Sequence, residues 1–432
     1  MLREIKRKIM LMKRINIMVL TAVLFFTIFT LLTSSAVIGK TTSIVAYTDH
    51  NPIVITSNND FVTQGFDDGG TRDGTQGLPY LIEGFKITSS TPEEILILIE
   101  NTDVYFVIEE CLLMGSGTED DITGIKLEHV QHARIRSNII NSTTHGIRLF
   151  QGTSSEYACS QNIIIDNTIH NCSVGIGLDT AEENYIESNT IFNLNNTGIS
   201  VITSDNVLIT KNSIRKSHFG TGFYFYKSDS NLITFNDIDD HSIGIWMLQS
   251  IGNEICGNAI VHNIGEAVLL DDTNATMIQH NAIVENYEGV NIFMGSLMNM
   301  IRCNNFTSNT DVGVRIANVN CIANNVTDNN FLNNNPGGTS QALDNSGDNL
   351  FLHNYWTDAS GTDTDSDGYL DTPYSVAGNP GNEDPLPSAT GVACGETCPT
   401  SLSPVWSSDT PGWSLMLVFV AMLPLLSLRR KK

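Results

Sequence analysis

The sequence predicts an all-β chain wound as a single parallel β-helix, and three combs of residues in phase with one another predict it. The first is a glycine followed by alternating apolar residues, as in Thr123-Gly124-Ile125-Lys126-Leu127 and Val174-Gly175-Ile176-Gly177-Leu178. It recurs at Gly146, Gly198, Gly222, Gly244, Gly289 and Gly313, with Ala267 in one slot, at spacings of 22 to 24 residues and one gap of 29. The second comb is Asn138, Asn167, Asn189, Asn212, Asn236, Asn258, Asn281, Asn305, Asn330 and Asn354. The third lies five or six residues upstream of the second: Asn162, Asn184, Asn206, Asn231, Asn253, Asn299, Asn325 and Asn349, with Thr276 standing in once.

A period in the low twenties marks a solenoid. Leucine-rich repeats share the period but need several leucines per turn, and these units offer mostly Ile, Val and Asn. Each unit reads as three short strands, Gly-Ile-x-Leu, Asn-x-Ile and Asn-x-Ile, joined by tight polar turns, for about ten coils in all. Alternation at period two sends Ile176 and Leu178 inward and Gly177 and Asp179 outward. An asparagine at each bend is expected to take left-handed dihedrals and to bond the same amide one coil away. Such stacked amides satisfy polar groups that burial would otherwise penalise. The asparagines are therefore scaffold rather than ligands.

The repeats resemble the right-handed parallel β-helix family that includes pectate lyases, tailspikes and NosD-type periplasmic accessory proteins. The lead-in Gly74-Thr75-Gln76-Gly77-Leu78-Pro79-Tyr80 and the ending Asn354-Tyr355-Trp356 are similar to NosD-like β-helices of archaeal surface proteins, as is Asp365-Ser366-Asp367-Gly368-Tyr369-Leu370-Asp371. The resemblance implies a right-handed, single-stranded helix. It also implies assistance in copper-site assembly as one possible role.

In chain order, residues 1–36 read as a signal peptide: six basic residues before an apolar run, then Ser34-Ser35-Ala36 for cleavage. Residues 41–100 form an N-terminal cap and first strands, with Asn58-Asn59-Asp60 opening a short lid helix through Phe61. The helix body spans 101–357, and 358–387 hold an acidic loop and C-terminal cap. The gap of 29 residues between Gly146 and Gly175 marks a loop insertion near 152–157. Residues 388–412, rich in Ser, Pro and Gly, suit a stalk. Trp413 to Leu428 read as a transmembrane helix, and Arg429-Arg430-Lys431-Lys432 as a cytoplasmic tail. That C-terminus also resembles archaeal sorting tails that are cut and replaced by lipid. The body then faces outward on the cell envelope, held to the membrane by its C-terminus.

The formal charge is −24. Without the two basic ends the chain keeps 13 basic against 46 acidic residues. So acidic a surface argues against nucleic acid and anionic polymers as partners. Six Asn-x-Ser/Thr sequons occur. Asn305 and Asn325 fall in the combs and are expected to be buried, whereas Asn141, Asn171, Asn195 and Asn274 are free to carry glycan.

Four constellations carry chemistry. Asp363, Asp365, Asp367, the Tyr369 carbonyl and Asp371 match the first nine positions of a calcium loop around Gly368, with Tyr374 where a bidentate glutamate belongs. The expected cofactor is Ca2+ in a structural role. Outward positions of the Gly-Ile-x-Leu strands stack Phe150, Tyr224, Tyr226, Trp246, Asp271 and Phe293, an aromatic face suited to sugar rings. Glycan hydrolysis needs paired carboxylates, and no acidic pair is read into one slot of adjacent coils. Met294, Met298 and Met300 with Cys303 form a soft-donor set for copper. Cys394 and Cys398 are expected to close a small disulfide loop, with Cys256 and Cys303 as core residues too far apart to bridge.

These readings favour a membrane-anchored surface module that binds a polysaccharide or glycoprotein. A lyase, hydrolase or C5-epimerase on the same scaffold is the alternative, and a NosD-like copper accessory role is the second.

Overall fold

The computed structural model describes residues 46–401, apart from 119, 153–157 and 396. The expected signal segment, the transmembrane segment and the tip of the insertion fall outside the described residues. Among the described residues no helix is long and apolar enough to cross a membrane.

Among the described residues the chain between Tyr47 and Trp356 is a parallel β-solenoid of about eleven turns with almost no helix. One sheet stacks 12 parallel strands, one from each coil, from Tyr80–Glu83 to Leu350–Leu352. The other two faces join into a 24-stranded sheet because Ser213–Tyr226 and Asp237–Leu248 each run around the corner between them. Pairing is in register: Ile176 lies against Ile199, and Leu178 against Val201.

That register builds the core. Ile135, Ile164, Ile186, Ile209, Ile233 and Ile255 form one fully buried column, since like residues in parallel register repeat the same packing. The glycine comb has a steric cause. A Cβ on Gly175 would sit 2.6 Å from the Gly198 carbonyl oxygen of the next coil and 2.6 Å from Ile191 Cγ2.

The amide ladders form, with two corrections. Asn167 Oδ1 accepts from both the main-chain N–H and Nδ2 of Asn138, each at 3.0 Å. Asn167 Nδ2 donates to Asn189 Oδ1 and to the Ile135 carbonyl. The ladder continues through Asn304 and Asn329, not Asn305 and Asn330. The second ladder uses Asn324 and places Val207 where Asn206 was expected. The physical reason is that the left-handed residue is the one before the ladder asparagine. Ser137, Asp166, Ser188, Lys211 and even Phe235 have φ near +55°, each followed by a ladder position. Asn206, with φ of 57°, is such a corner residue. Asn305 is accordingly exposed and Asn325 half-buried, against expectation.

Further ladders escaped the sequence reading. Asn263, Asn286, Asn309 and Asn334 form a third amide row. Ser204, Ser228, Ser250, Thr273 and Ser296 pass hydroxyl bonds from coil to coil.

Both ends are closed. Helix α1 (Asn58–Thr63) seats buried Phe61 against Tyr80 and Phe106, with centroids at 4.9 and 5.1 Å, as a lid. At the other end Phe306, Phe331, Trp356 and Tyr374 stack in sequence. The last rung ends on Asp384, whose buried carboxylate accepts from the Asn354 N–H and Nδ2 and from Trp356 Nε1.

The described residues of 388–398 do not stand off as a stalk. They form a strap running back along the solenoid. Ser388 N–H donates to the Asn354 carbonyl, and Val392 and Asn330 exchange two bonds. Cys394 then pairs with Cys303, and Cys398 with Cys256. The expected Cys394–Cys398 loop is thereby overturned. Cys256 and Cys303 lie about two rungs, ~10 Å, apart, and the strap spans that gap, so each strap cysteine meets a different coil. Closing loops of 142 and 91 residues removes far more unfolded-chain entropy than a five-residue loop would, on the order of 4–5 kcal/mol each in the chain-entropy account.

Cys111, Cys159, Cys172 and Cys321 are free and buried, and burial pushes the Cys111 and Cys159 thiols up to about 11. Peptide mapping of the non-reduced protein should therefore recover the 256–398 and 303–394 pairs. A thiol reagent should label none of the four free cysteines until the chain is unfolded. A 394–398 peptide, or rapid native labelling, contradicts the strap.

Candidate functional site

The outward positions of the Gly-Ile-x-Leu strands form rows. One row runs Arg148, Gly177, Ser200, Tyr224, Trp246, Leu269, Asn291 and Arg315, one residue per coil. Beside it runs Phe150, Asp179, Ile202, Tyr226, Leu248, Asp271 and Phe293. Parallel register fixes neighbours in a row about 4.8 Å apart. The six predicted residues all lie in these two rows, but they do not form one platform. Phe150 lies three coils before Tyr226, with Lys126 and Arg148 over its ring. Phe293 lies three coils after Tyr226, on the rung next to Asp271.

The compact centre is Tyr224, Tyr226, Trp246 and Asp271. Tyr224 and Trp246 meet edge to face, centroids 5.3 Å apart, and both are half-buried. Edge-to-face contact holds the two rings at a fixed angle without covering them. Burial raises the Tyr224 hydroxyl pKa, and Tyr226 and Asp271 raise it further. Burial and Asp272 raise that of Asp271, while the Trp246 indole N–H beside it pulls the other way.

Two coils further on lies a polar cluster that the sequence reading missed. Glu266 and Glu288 are in register on adjacent coils, so an acidic pair does share one slot. Both residues precede the small residue of the repeat, where the corner was read as turn; the signal was the repeated Glu-Ala and Glu-Gly at 266–267 and 288–289. Asn291 Nδ2 donates to Glu266 Oε1 at 3.3 Å. Arg315 Nε donates to Glu288 Oε1 at 2.6 Å, and its Nη2 donates to Asp311. Glu288 is only 5% exposed. Burial raises its pKa, Arg315 draws it back by charge and hydrogen bond, and Glu266 and Asp311 raise it again.

The acidic loop brings part of its expected set together. Asp363, Asp365 and Asp367 place one carboxylate oxygen each within 4.8 Å of one another. Asp363 accepts from the N–H groups of Asp367 and Gly368, which folds the loop around its carboxylates. Asp371 instead accepts from the N–H and hydroxyl of Thr364, and the Tyr369 ring stacks on His353 at 4.3 Å. An all-oxygen set on a glycine-bearing turn fits a hard divalent cation. The soft-donor set fits copper poorly, because Cys303 is spent in a disulfide and Met294 points to solvent.

Linkage gives the Glu288 carboxyl a pH signature. A pKa raised on folding adds stability below the ordinary value of 4.5 and loses it as pH rises through the folded value. Relative to Glu288→Gln, the natural protein should hold its largest melting-temperature advantage below pH 4.5 and a smaller one at pH 7. A difference independent of pH contradicts the assignment.

The family model described as periplasmic copper-binding protein (NosD) matches residues 83–267. No curated protein sequence matches the chain. Among solved structures, the Azotobacter vinelandii mannuronan C-5 epimerase AlgE6 A-module is 14% identical, covering 71% of this chain and 91% of that one, with a TM-score of 0.47. The periplasmic alginate epimerase AlgG is 15% identical over 70% and 89%, with a TM-score of 0.43. The Dettilon tailspike protein is 13% identical over 70% and 61%, with a TM-score of 0.47. At such distances the likeness carries nothing about activity. The chain is a parallel β-helix repeat protein, with a NosD-type match in the first part of its solenoid.

Proposed function

We propose that this β-helix is an envelope-exposed module that binds a glycan on the outer face around Tyr224 and Trp246. The observation that carries the reading is the half-buried edge-to-face pair of these rings, bordered by Tyr226 and Asp271. Apolar ring faces stack on sugars while the phenols and the Asp271 carboxylate bond hydroxyls. Two long-range disulfides support an oxidising, extracytoplasmic setting. The signal-like residues 1–36 and the apolar segment 413–428 support export and C-terminal membrane anchoring. In this reading Ca2+ sits in the Asp363–Asp367 loop and rigidifies the C-terminal cap.

The in-register Glu266 and Glu288 favour a second reading, in which the bound glycan is also cleaved. Release of reducing ends from a bound polymer would support it, and their absence would remove it.

Affinity electrophoresis against a panel of polysaccharides should show retardation that Trp246→Ala abolishes and Tyr224→Ala weakens about tenfold, with melting temperature unchanged. Retention of full binding by both variants contradicts this face. Calcium should raise the melting temperature by several degrees, chelator should reverse the shift, and Asp365→Asn should remove it; calorimetry showing no calcium heat contradicts the metal site.

A further inference from the structure

The aromatic pair is one end of a longer surface. From Tyr224 through Trp246, Leu269 and Asn291 to Arg315 the row advances four rungs, about 19 Å. One rung is close to the length of one sugar ring in an extended chain. A polymer lying along this row and stacked on Trp246 therefore reaches the Glu266–Asn291–Arg315 cluster within the next few units.

What the cluster offers is specific. Glu266 is half-exposed and commits only Oε1, to Asn291. Arg315 commits Nε to Glu288 and Nη2 to Asp311, leaving the rest of its fork without a partner among the described residues. Two acceptors, Glu288 Oε2 and Asn291 Oδ1, have no donor among the described residues, and both are closed to solvent beneath the open part of the cluster. Unmet buried acceptors cost on the order of 1–3 kcal/mol each. A ligand rich in hydroxyls brings oxygens for the open part of the guanidinium and O–H donors for the uncommitted oxygen of Glu266.

We propose that Glu266, Asn291 and Arg315 form a polar subsite that reads ring hydroxyls of a neutral polysaccharide, two coils beyond the aromatic pair. This rests on the glycan-binding reading above and adds to it a substrate class and the residues that select it. Neutrality follows from charge. Asp271, Glu266, Glu288 and Asp311 outnumber Arg315 on this stretch, so a uronate or sulfated chain would bring its anions against unfavourable potential. Glu288 acts through Arg315: its 2.6 Å bond holds the fork in place, which makes it a positioning residue.

Removing Arg315 would strand the buried Glu288 charge and destabilise its coil, so the deciding variant is Glu266→Gln, which keeps the shape and the Asn291 contact. The full-length protein and its Glu266→Gln and Trp246→Ala variants are titrated with soluble neutral glucans, mannans and galactans, and with polyuronates as the anionic arm. The expected result is binding to a neutral polymer only, weakened at least fivefold by Glu266→Gln and lost in Trp246→Ala, with unchanged melting. Unaltered affinity in Glu266→Gln alongside loss in Trp246→Ala overturns the polar subsite and leaves the aromatic face standing. Tighter binding of a polyuronate overturns the neutral class. Binding indifferent to both variants, or none to any polymer, overturns the subsite and the glycan reading together.

Discussion

The structure depends on one requirement: every bend of the coil must satisfy the polar groups it buries, and must do so in the same way on each rung. The amide ladders meet it. An asparagine carries an acceptor and two donors on a short stem, so it can serve the main chain of the preceding coil and the ladder asparagines on both sides at once. Because each amide needs its neighbour, the row is satisfied only in register. Register in turn aligns the isoleucine columns and the outer rows. The ends of the rows then need closing groups, which explains Asp384 under Asn354 and Gln341 under Asn334.

The same register makes the candidate site. A parallel solenoid sets side chains of one slot on a straight, evenly spaced line, so a face can be assembled by single residues from successive coils. Tyr224 and Trp246 meet because they share a slot, and Glu266 and Glu288 are brought together for the same reason. The strap adds a second constraint of a different kind, tying the C-terminal coils covalently and leaving the aromatic row untouched in sequence and position.

How much of this the sequence held can be judged residue by residue. The coil and the inward and outward rows were legible, because glycine, isoleucine and asparagine recur at one period. The ladder position within Asn304-Asn305 and Asn329-Asn330 was not, since either member keeps the period and only the backbone shows which follows the left-handed residue. The disulfides were illegible because local spacing says nothing of a tail that folds back along five coils. Glu288 was missed because its strand was taken to begin at the glycine, one residue too late. The alternating spacing brings three aspartate carboxylates together, while Asp371 is drawn off by Thr364, a contact no spacing rule contains.

The central claim, that the ladder amides rather than surface turns hold the coils together, is tested most directly by denaturant unfolding of Asn236→Ala beside Asn206→Gly. Asn236 serves the Asn212 N–H and Nδ2 and the Ile209 carbonyl, so its loss should destabilise by about 3 kcal/mol or more. Asn206 is a corner residue whose left-handed backbone glycine adopts freely, so its replacement should stay within about 0.5 kcal/mol. Equal effects at the two positions would contradict the account.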